Sequence, residues 1–170
     1  MKLKLSHILQ IVAAAFGVLA IISLFLAGVG ASVSQMGVTV SVSISLIGLM
    51  FGNGSIKTAG VSVGYKGGMS YFGLIAFILL IVAIVLAIVA VVMKKSNLLM
   101  VAGAVAVIAG ICVLLVLVAG TKVSSASVDT AVSFKDFMEG LKLGVGTILF
   151  AISAILGGGL LVASKVVDNK

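Results

Sequence analysis

The sequence has no proline, tryptophan or arginine, and it has a single cysteine, a single histidine and only four acidic residues among 170. The lone Cys112 cannot form a disulfide within the chain, so the parts outside any membrane must hold their shape without one. One histidine and four carboxylates are too few for a catalytic metal site or for a nucleophile with its base. We therefore predict a protein that is not an enzyme and uses no cofactor.

Charge is also scarce, because 9% of the residues are charged and 62% are apolar, with a mean hydropathy of +1.46. An average soluble domain has about 25% charged residues. The formal charge of +7 comes from dispersed lysines, which does not resemble the clustered basic face of a nucleic-acid-binding protein. The lipid bilayer is the expected partner, and nucleic acid is not.

Four apolar runs have lengths that suit membrane spans. They cover residues 8–27, 73–93, 98–119 and 141–163, which are 20 to 23 residues each. At 1.5 Å per residue such runs form helices of about 30–35 Å, which cross a hydrocarbon core of about 30 Å. The sequence predicts one membrane domain over residues 1–170, a membrane all-α four-helix bundle with outer segments at 28–72 and 120–140.

The first run also fits a secretory signal peptide, because Lys2 and Lys4 precede it and small residues follow it near Ala31. Its 20 apolar residues exceed the usual core of about 7–15 residues in such peptides. We therefore expect it to be retained as the first span.

Lysine placement predicts the orientation, because basic residues stay on the cytoplasmic side during insertion. Segments 1–7, 94–97 and 164–170 hold six lysines in 18 residues, whereas the two outer segments hold four in 66. Both termini are predicted to be cytoplasmic. Lysine used without arginine is typical of an A+T-rich prokaryotic source, so we expect a bacterial cytoplasmic membrane.

The first outer segment contains a strand pattern, in which apolar residues alternate with Ser and Thr over residues 38–46. The dipeptide Asn53-Gly54 is a turn signal, and a weaker alternation follows. We predict a hairpin of residues 37–50 against 55–66, with a third strand at 121–128, as a small extracellular antiparallel β-sheet that mediates assembly. Its predicted residues are Val38, Val40, Val42, Ile44, Leu46, Asn53, Gly54, Val61 and Val63. An alternative is that such hairpins from several copies close a membrane barrel.

Small residues recur at four-residue spacing in every span, and such spacing lets membrane helices approach closely. The predicted packing residues are Ala13, Gly17, Ala83, Ala87, Ala102, Ala106, Gly110, Gly140, Gly144, Ala154 and Gly158. Ser133 followed by Asp136 predicts that the last helix begins about seven residues before its buried part. The recurring small residues indicate a compact bundle or lateral self-association.

Isolated reactive residues are better explained without chemistry. We interpret His7 as a polar residue at headgroup depth and Cys112 as an apolar filler. Asp136 and Glu139 share a predicted helix face that could hold a divalent ion, although a solvated charged face is the preferred interpretation.

A short inner N-terminus, a long outer segment with strands, the short inner turn at residues 94–97 and a shorter second outer segment together resemble the claudin and peripheral-myelin-protein tetraspan architecture. The family's Trp and Cys pair are absent between residues 28 and 72, where Gly48-Leu49-Met50 is the nearest equivalent of its Gly-Leu-Trp. No functional residue carries over. The resemblance implies side-by-side assembly through the outer sheet.

Two functions follow from these observations. The first is a non-catalytic structural or assembly protein that associates with its own copies, as a homo-oligomer, or with another membrane protein. The alternative is an oligomeric channel or pore lined by weakly polar residues, for which Ser23, Thr147 and Ser153 are the candidates.

Overall fold

A computed structural model describes residues 5–35, 38–58, 61–66, 70–117 and 142–168. Four long helices are α1 (Leu5–Ser23), α3 (Tyr71–Val92), α4 (Ser96–Leu114) and α5 (Val145–Asp168), with a short α2 (Leu46–Phe51) between the first two. The four long helices are apolar and long enough to cross a membrane. The predicted set of four long apolar helices with a small antiparallel sheet is confirmed.

The sheet contains the strands β1 (Ala27–Gln35), β2 (Val38–Ser45), β3 (Asn53–Thr58), β4 (Val61–Lys66) and the two-residue β5 (Lys142–Leu143). Their spatial order is β4-β3-β2-β1-β5, and each neighbouring pair is antiparallel. β1 and β2 form one hairpin and β3 and β4 another. β5 reaches the sheet from the distant end of the chain and pairs with Val29 and Gly30.

The predicted hairpin of residues 37–50 against 55–66 is confirmed in part: β2 and β3 are antiparallel neighbours, but α2 connects them instead of a tight turn, and the main partner of each is another strand. β2 pairs along its length with β1, and its register with β3 has the single partner pair Ser43 and Lys57. The chain leaves the sheet after Ser45 and forms α2. Gly52, which follows the last residue of α2, caps the helix in the left-handed conformation (φ 64°). Asn53 and Gly54 consequently lie in a strand and not in a turn.

Two predicted span boundaries also differ from the structure. α1 ends at Ser23, because the chain turns at residues 24–26 and enters β1 at Ala27. α5 begins at Val145, after β5, so the described part of the last helix has no extension before its apolar segment. The predicted third strand at 121–128 and the predicted helix start near Ser133 lie outside the described residues.

The helix bundle is built around α5, which packs against both α1 and α4, while α3 packs against α4. α1 and α3 have almost no contact with each other. Around the bundle the order is therefore α1, α5, α4 and α3, with one side left open.

Small residues allow α4 and α5 to approach closely. A Cβ atom added to Gly103 would lie 2.5 Å from the carbonyl oxygen of Gly158, and one added to Gly158 would lie 2.5 Å from that of Gly103. A Cβ at Gly110 would lie 2.8 Å from Cγ1 of Ile155. Backbone atoms cannot move away as a flexible side chain can, so the Gly103–Gly158 contact sets the distance between the two helices.

Substituting Gly103 or Gly158 with Ala should destabilise the protein by about 1–3 kcal/mol, because the added methyl group forces the helices apart. Gly159→Ala is the matched control, since a Cβ at Gly159 has no atom within 4 Å. Thermal unfolding in detergent can be followed by the labelling of half-buried Cys112 with a thiol-reactive fluorophore. If Gly159→Ala lowered the melting temperature as much as Gly103→Ala, the close-contact explanation would be wrong.

Candidate functional site

The described residues contain no group of three or more His, Cys, Asp or Glu side chains that could hold a metal ion. Asp136 and Glu139, the predicted acidic pair, lie outside those residues. The candidate site is therefore the sheet, together with the segment that connects it to the helix bundle. We call this segment, residues 24–29, the junction; it runs from the end of α1 into the start of β1.

Hydrogen bonds from two distant parts of the chain hold the junction. The backbone N–H groups of Leu46 and Ile47, at the start of α2, donate to the carbonyl oxygens of Leu26 and Leu24, both at 2.9 Å. From the other side, the N–H of Gly144 donates to the Gly28 carbonyl at 2.8 Å. The Thr147 hydroxyl, which is fully buried in α5, donates to the same oxygen at 2.5 Å. The carbonyls of Leu24, Leu26 and Gly28, which follow the last residue of α1, thus all have hydrogen-bond partners.

Glycines make these bonds sterically possible. A Cβ on Gly28 would lie 2.5 Å from Cα of Leu46, and one on Gly144 would overlap the Ala27 carbonyl. At Gly146 the nearest atoms are the carbonyl oxygens of Ser23, Ala27 and Leu26, at 2.8–2.9 Å. Gly144 was predicted to pack helices, but it lies before α5 and allows the chain to pass over the junction. Gly140 lies outside the described residues.

α2 fastens the sheet to the top of the bundle. The Ser45 hydroxyl accepts a hydrogen bond from the N–H of Gly48 and caps the helix. Leu46 and Met50 are fully buried in a core that also contains Leu24 and Phe150. Leu46 was predicted to belong to the assembly sheet, and this is wrong because it is the first residue of α2.

The opposite end of α2 rests on the start of α3. The N–H of Ser70 donates to the carbonyl of Leu49 at 3.1 Å, and the Ser70 hydroxyl caps α3 by accepting from Gly73 N–H. The rings of Phe51 and Phe77 meet edge to face, with centroids 5.5 Å apart. α2 therefore spans the gap between the end of α1 and the start of α3.

The other predicted assembly residues lie on three strands. Ile44 is in β2 and is 2% exposed, so its side chain belongs to the core. The remaining positions are distributed over β2 (Val38, Val40, Val42), β3 (Asn53, Gly54) and β4 (Val61, Val63).

The edges of the sheet do not lie on β2, the strand with the clearest alternation of apolar and polar residues. β2 has a neighbouring strand on each side, so it is not an edge strand of the sheet. In the described residues β4 pairs with β3 alone, and β1 beyond Gly30 pairs with β2 alone. Among the described residues, the strand edges without a partner are therefore those of β4 and of the outer half of β1, residues 31–35. The sequence analysis missed β1, whose Gly- and Ala-rich segment AGVGASVSQ has few strand-favouring residues.

The predicted packing residues divide into two groups. Ala102, Ala106, Gly110, Ala154 and Gly158 lie on α4 and α5, where Gly110 and Gly158 approach the opposite helix. Ala13 and Gly17 on α1 and Ala83 and Ala87 on α3 line a groove of about 400 Å³ between these two helices. Ala13 also lies close to Gly157 of α5, so it belongs to the contact between α1 and α5 as well.

Comparison with known proteins finds no family model and no curated protein that matches the chain. The resemblance to the claudin tetraspan architecture consequently stays a prediction.

Thr147→Val should destabilise the protein by about 1 kcal/mol, because it removes the hydroxyl that donates to Gly28 but keeps the shape of the side chain. The cost is modest since Gly144 N–H still donates to the same carbonyl. Thr147→Ser keeps the hydroxyl and is the control. Thr147→Ser also loses a buried methyl group, which costs about 0.8 kcal/mol by itself. Cys112 labelling during thermal unfolding measures both variants, and an unchanged melting temperature in Thr147→Val would show that the hydrogen bond contributes nothing.

Proposed function

We propose that the chain is a non-catalytic four-span membrane protein whose sheet lies on the outer face and joins copies of the protein side by side. The observation that carries this proposal is the pair of strand edges that have no partner among the described residues, on a sheet hydrogen-bonded to a bundle of four lipid-compatible helices.

Exposed apolar surface supports the membrane placement. The share of each span buried within the protein is between 17% for α1 and 44% for α5. Side chains such as Ile78, Val85 and Ile88 on α3 are about half exposed. In water this surface would be strongly unfavourable, whereas lipid chains solvate it.

Charge at the two ends of the bundle supports the orientation. Exposed Lys94 and Lys95 lie in the turn between α3 and α4, at the end opposite the sheet. Lys165 near the end of α5 lies at that same end, because its ammonium donates a hydrogen bond to Oδ1 of Asn97. These lysines lie in short segments, whereas Lys57, Lys66 and Lys142 are spread over the longer segments at the sheet end. Basic residues in short segments favour a cytoplasmic position, with both termini inside and the sheet outside.

The sheet edges support assembly. An unpaired strand edge presents N–H and C=O groups that another strand can pair with. β4 and the outer half of β1 are at opposite edges of the sheet. Pairing β4 of one copy with β1 of the next is a head-to-tail contact, which repeats from copy to copy and produces a row or a ring. A sheet edge of a different membrane protein would be recognised in the same way.

The pore alternative has less support from the described residues. The hydroxyl of Ser23 donates to Ala20 O at 2.6 Å, and that of Thr147 donates to Gly28 O. Both side chains are at most 1% exposed. Of the three candidate pore-lining residues, Ser153 alone lines the groove between α1 and α3. The two others serve the internal structure of a single copy.

Crosslinking between single cysteines tests edge pairing. In a Cys112→Ala background, Ser34→Cys in β1 and Ser62→Cys in β4 are prepared with different tags and reconstituted together in lipid vesicles. A short bis-maleimide reagent should produce a strong Ser34→Cys to Ser62→Cys product, because paired strands lie about 4.7–4.9 Å apart.

Ser55→Cys in β3 is the matched control, since that residue pairs with Gly64 within the same copy. The Ser34→Cys to Ser55→Cys product should be weak. If the two products form in equal yield, or if neither forms in correctly inserted protein, the edge-pairing proposal is refuted.

Tag accessibility tests the orientation separately. An epitope after Lys170 should be protected in intact cells, whereas the same epitope between β3 and β4 should bind antibody from outside. Permeabilised cells, in which both epitopes must react, are the control. The reverse pattern would place the sheet in the cytoplasm and would contradict the proposed orientation.

A further inference from the structure

A groove runs between α1 and α3 in the described part of the helix bundle. It has a volume of about 400 Å³, which lies in the range of small-molecule sites. Its walls come from α1 and α3, and α4 and α5 form its floor. Gln10 and Ser153 are the two polar residues in a lining that is otherwise apolar.

The groove occupies the part of the gap between α1 and α3 that α2 does not fill. Near the sheet, α2 fills the space between α1 and α3 with the buried side chains of Leu46, Leu49 and Met50. Farther from the sheet no described element takes its place. The small residues on both walls leave this space empty, and a Cβ added to Gly17 would have no atom within 4 Å.

The length of the groove indicates what fills it. The lining runs from Gln10 to Ile21 on α1 and from Leu80 to Val92 on α3, which corresponds to about 17–18 Å of helix. One leaflet of a hydrocarbon core of about 30 Å is roughly 15 Å deep. The groove is therefore slightly longer than one leaflet is deep. On α3 it occupies the half of the helix that ends opposite the sheet, and on α1 it extends from Gln10 to Ile21. A spanning helix from a second copy would have to continue past this depth, where α2 closes the gap.

Charge at the open end favours an anionic headgroup. Val91 and Val92 line the groove, and the exposed Lys94 and Lys95 follow them directly. Exposed His7 lies one helical turn before Gln10, on the other wall. A phosphate at the membrane surface, joined to a chain in the groove, would lie at the depth of these side chains.

We propose that this groove binds an acyl chain of an anionic phospholipid from the leaflet opposite the sheet, with the headgroup at Lys94 and Lys95. The inference rests on the membrane placement in the proposed function and is independent of assembly through the sheet. Bound lipid would complete the apolar wall that α1 and α3 leave open.

Photo-crosslinking of the wild-type protein is the first test. The protein is placed in phosphatidylcholine nanodiscs containing a small fraction of phosphatidylglycerol with a photoreactive acyl chain, and the labelled residues are mapped by mass spectrometry. Labels should concentrate on the groove-facing parts of α1 and α3. Ile108 and Ile111 on the exposed face of α4 report ordinary lipid contact.

The outcomes are distinguishable. Labelling of Ile108 and Ile111 without enrichment in the groove would overturn the lipid site and leave the membrane placement intact. Labelling of neither region would refute the membrane placement itself.

Retention of lipid through purification, measured by native mass spectrometry, is the second test. Gly17→Phe places a ring in the groove and should abolish the retained lipid. Gly159→Phe, at an exposed position that also has no atom within 4 Å of a Cβ, should retain it. If Gly17→Phe does not fold, as judged by Cys112 labelling, Ala87→Phe replaces it. Unchanged retention in a folded groove variant would overturn the proposal.

Headgroup selectivity is measured in the same way. Lys94→Gln and Lys95→Gln should each lower the preference for phosphatidylglycerol over phosphatidylcholine by about fivefold. Lys142→Gln, which removes an exposed charge at the sheet end, should leave the preference unchanged. An unchanged preference in the Lys94 and Lys95 variants would refute the headgroup site. Dimers crosslinked through Gly17→Cys would show that a second copy fills the groove and would overturn the proposal.

Discussion

The structure depends on how the backbone carbonyl groups that follow α1 find hydrogen-bond donors. Carbonyls left unpaired beside the hydrocarbon region are costly, and nearby water cannot be relied upon to pair with them. At the junction, N–H groups from α2 and from the segment before α5 supply the partners, together with the Thr147 hydroxyl. These bonds require backbones in direct contact, which explains why Gly28, Gly144 and Gly146 meet there. The position of the sheet on the bundle follows from this arrangement.

Small residues serve opposite purposes in the two halves of the helix bundle. Between α4 and α5 they remove the side chains that would keep two backbones apart, so Gly103 and Gly158 come into contact. Between α1 and α3 they leave space that no part of the described chain fills. The difference arises from the neighbours, because α5 holds α1 on one side and α4 holds α3 on the other. Each outer helix is fixed by its own partner, and the gap between them stays open.

Local properties of the sequence were enough to predict the four helices and the strand nature of residues 38–45, since the bilayer sets the length of an apolar run and a strand alternates its side chains. α2 could not be found in this way, because LIGLMF is a short apolar run that suits a strand as well as a helix. Its state is decided by the Ser45 cap and by burial between α1 and α3. The same limit applies to β1, which is stabilised by pairing with β2, and to the groove, whose alanines have the spacing of a packed interface.

The bond between Thr147 and Gly28 joins residues 119 positions apart, and α5 is also the principal neighbour of α1. In the proposed membrane placement, the first helix would enter the bilayer long before its main partner has left the ribosome. Until then lipid alone would solvate its small-residue face, and the end of β1 would lack its partner β5. Completion of the fold is thus delayed until the last helix is inserted, so a prematurely terminated chain would present an unpaired first helix to cellular quality control.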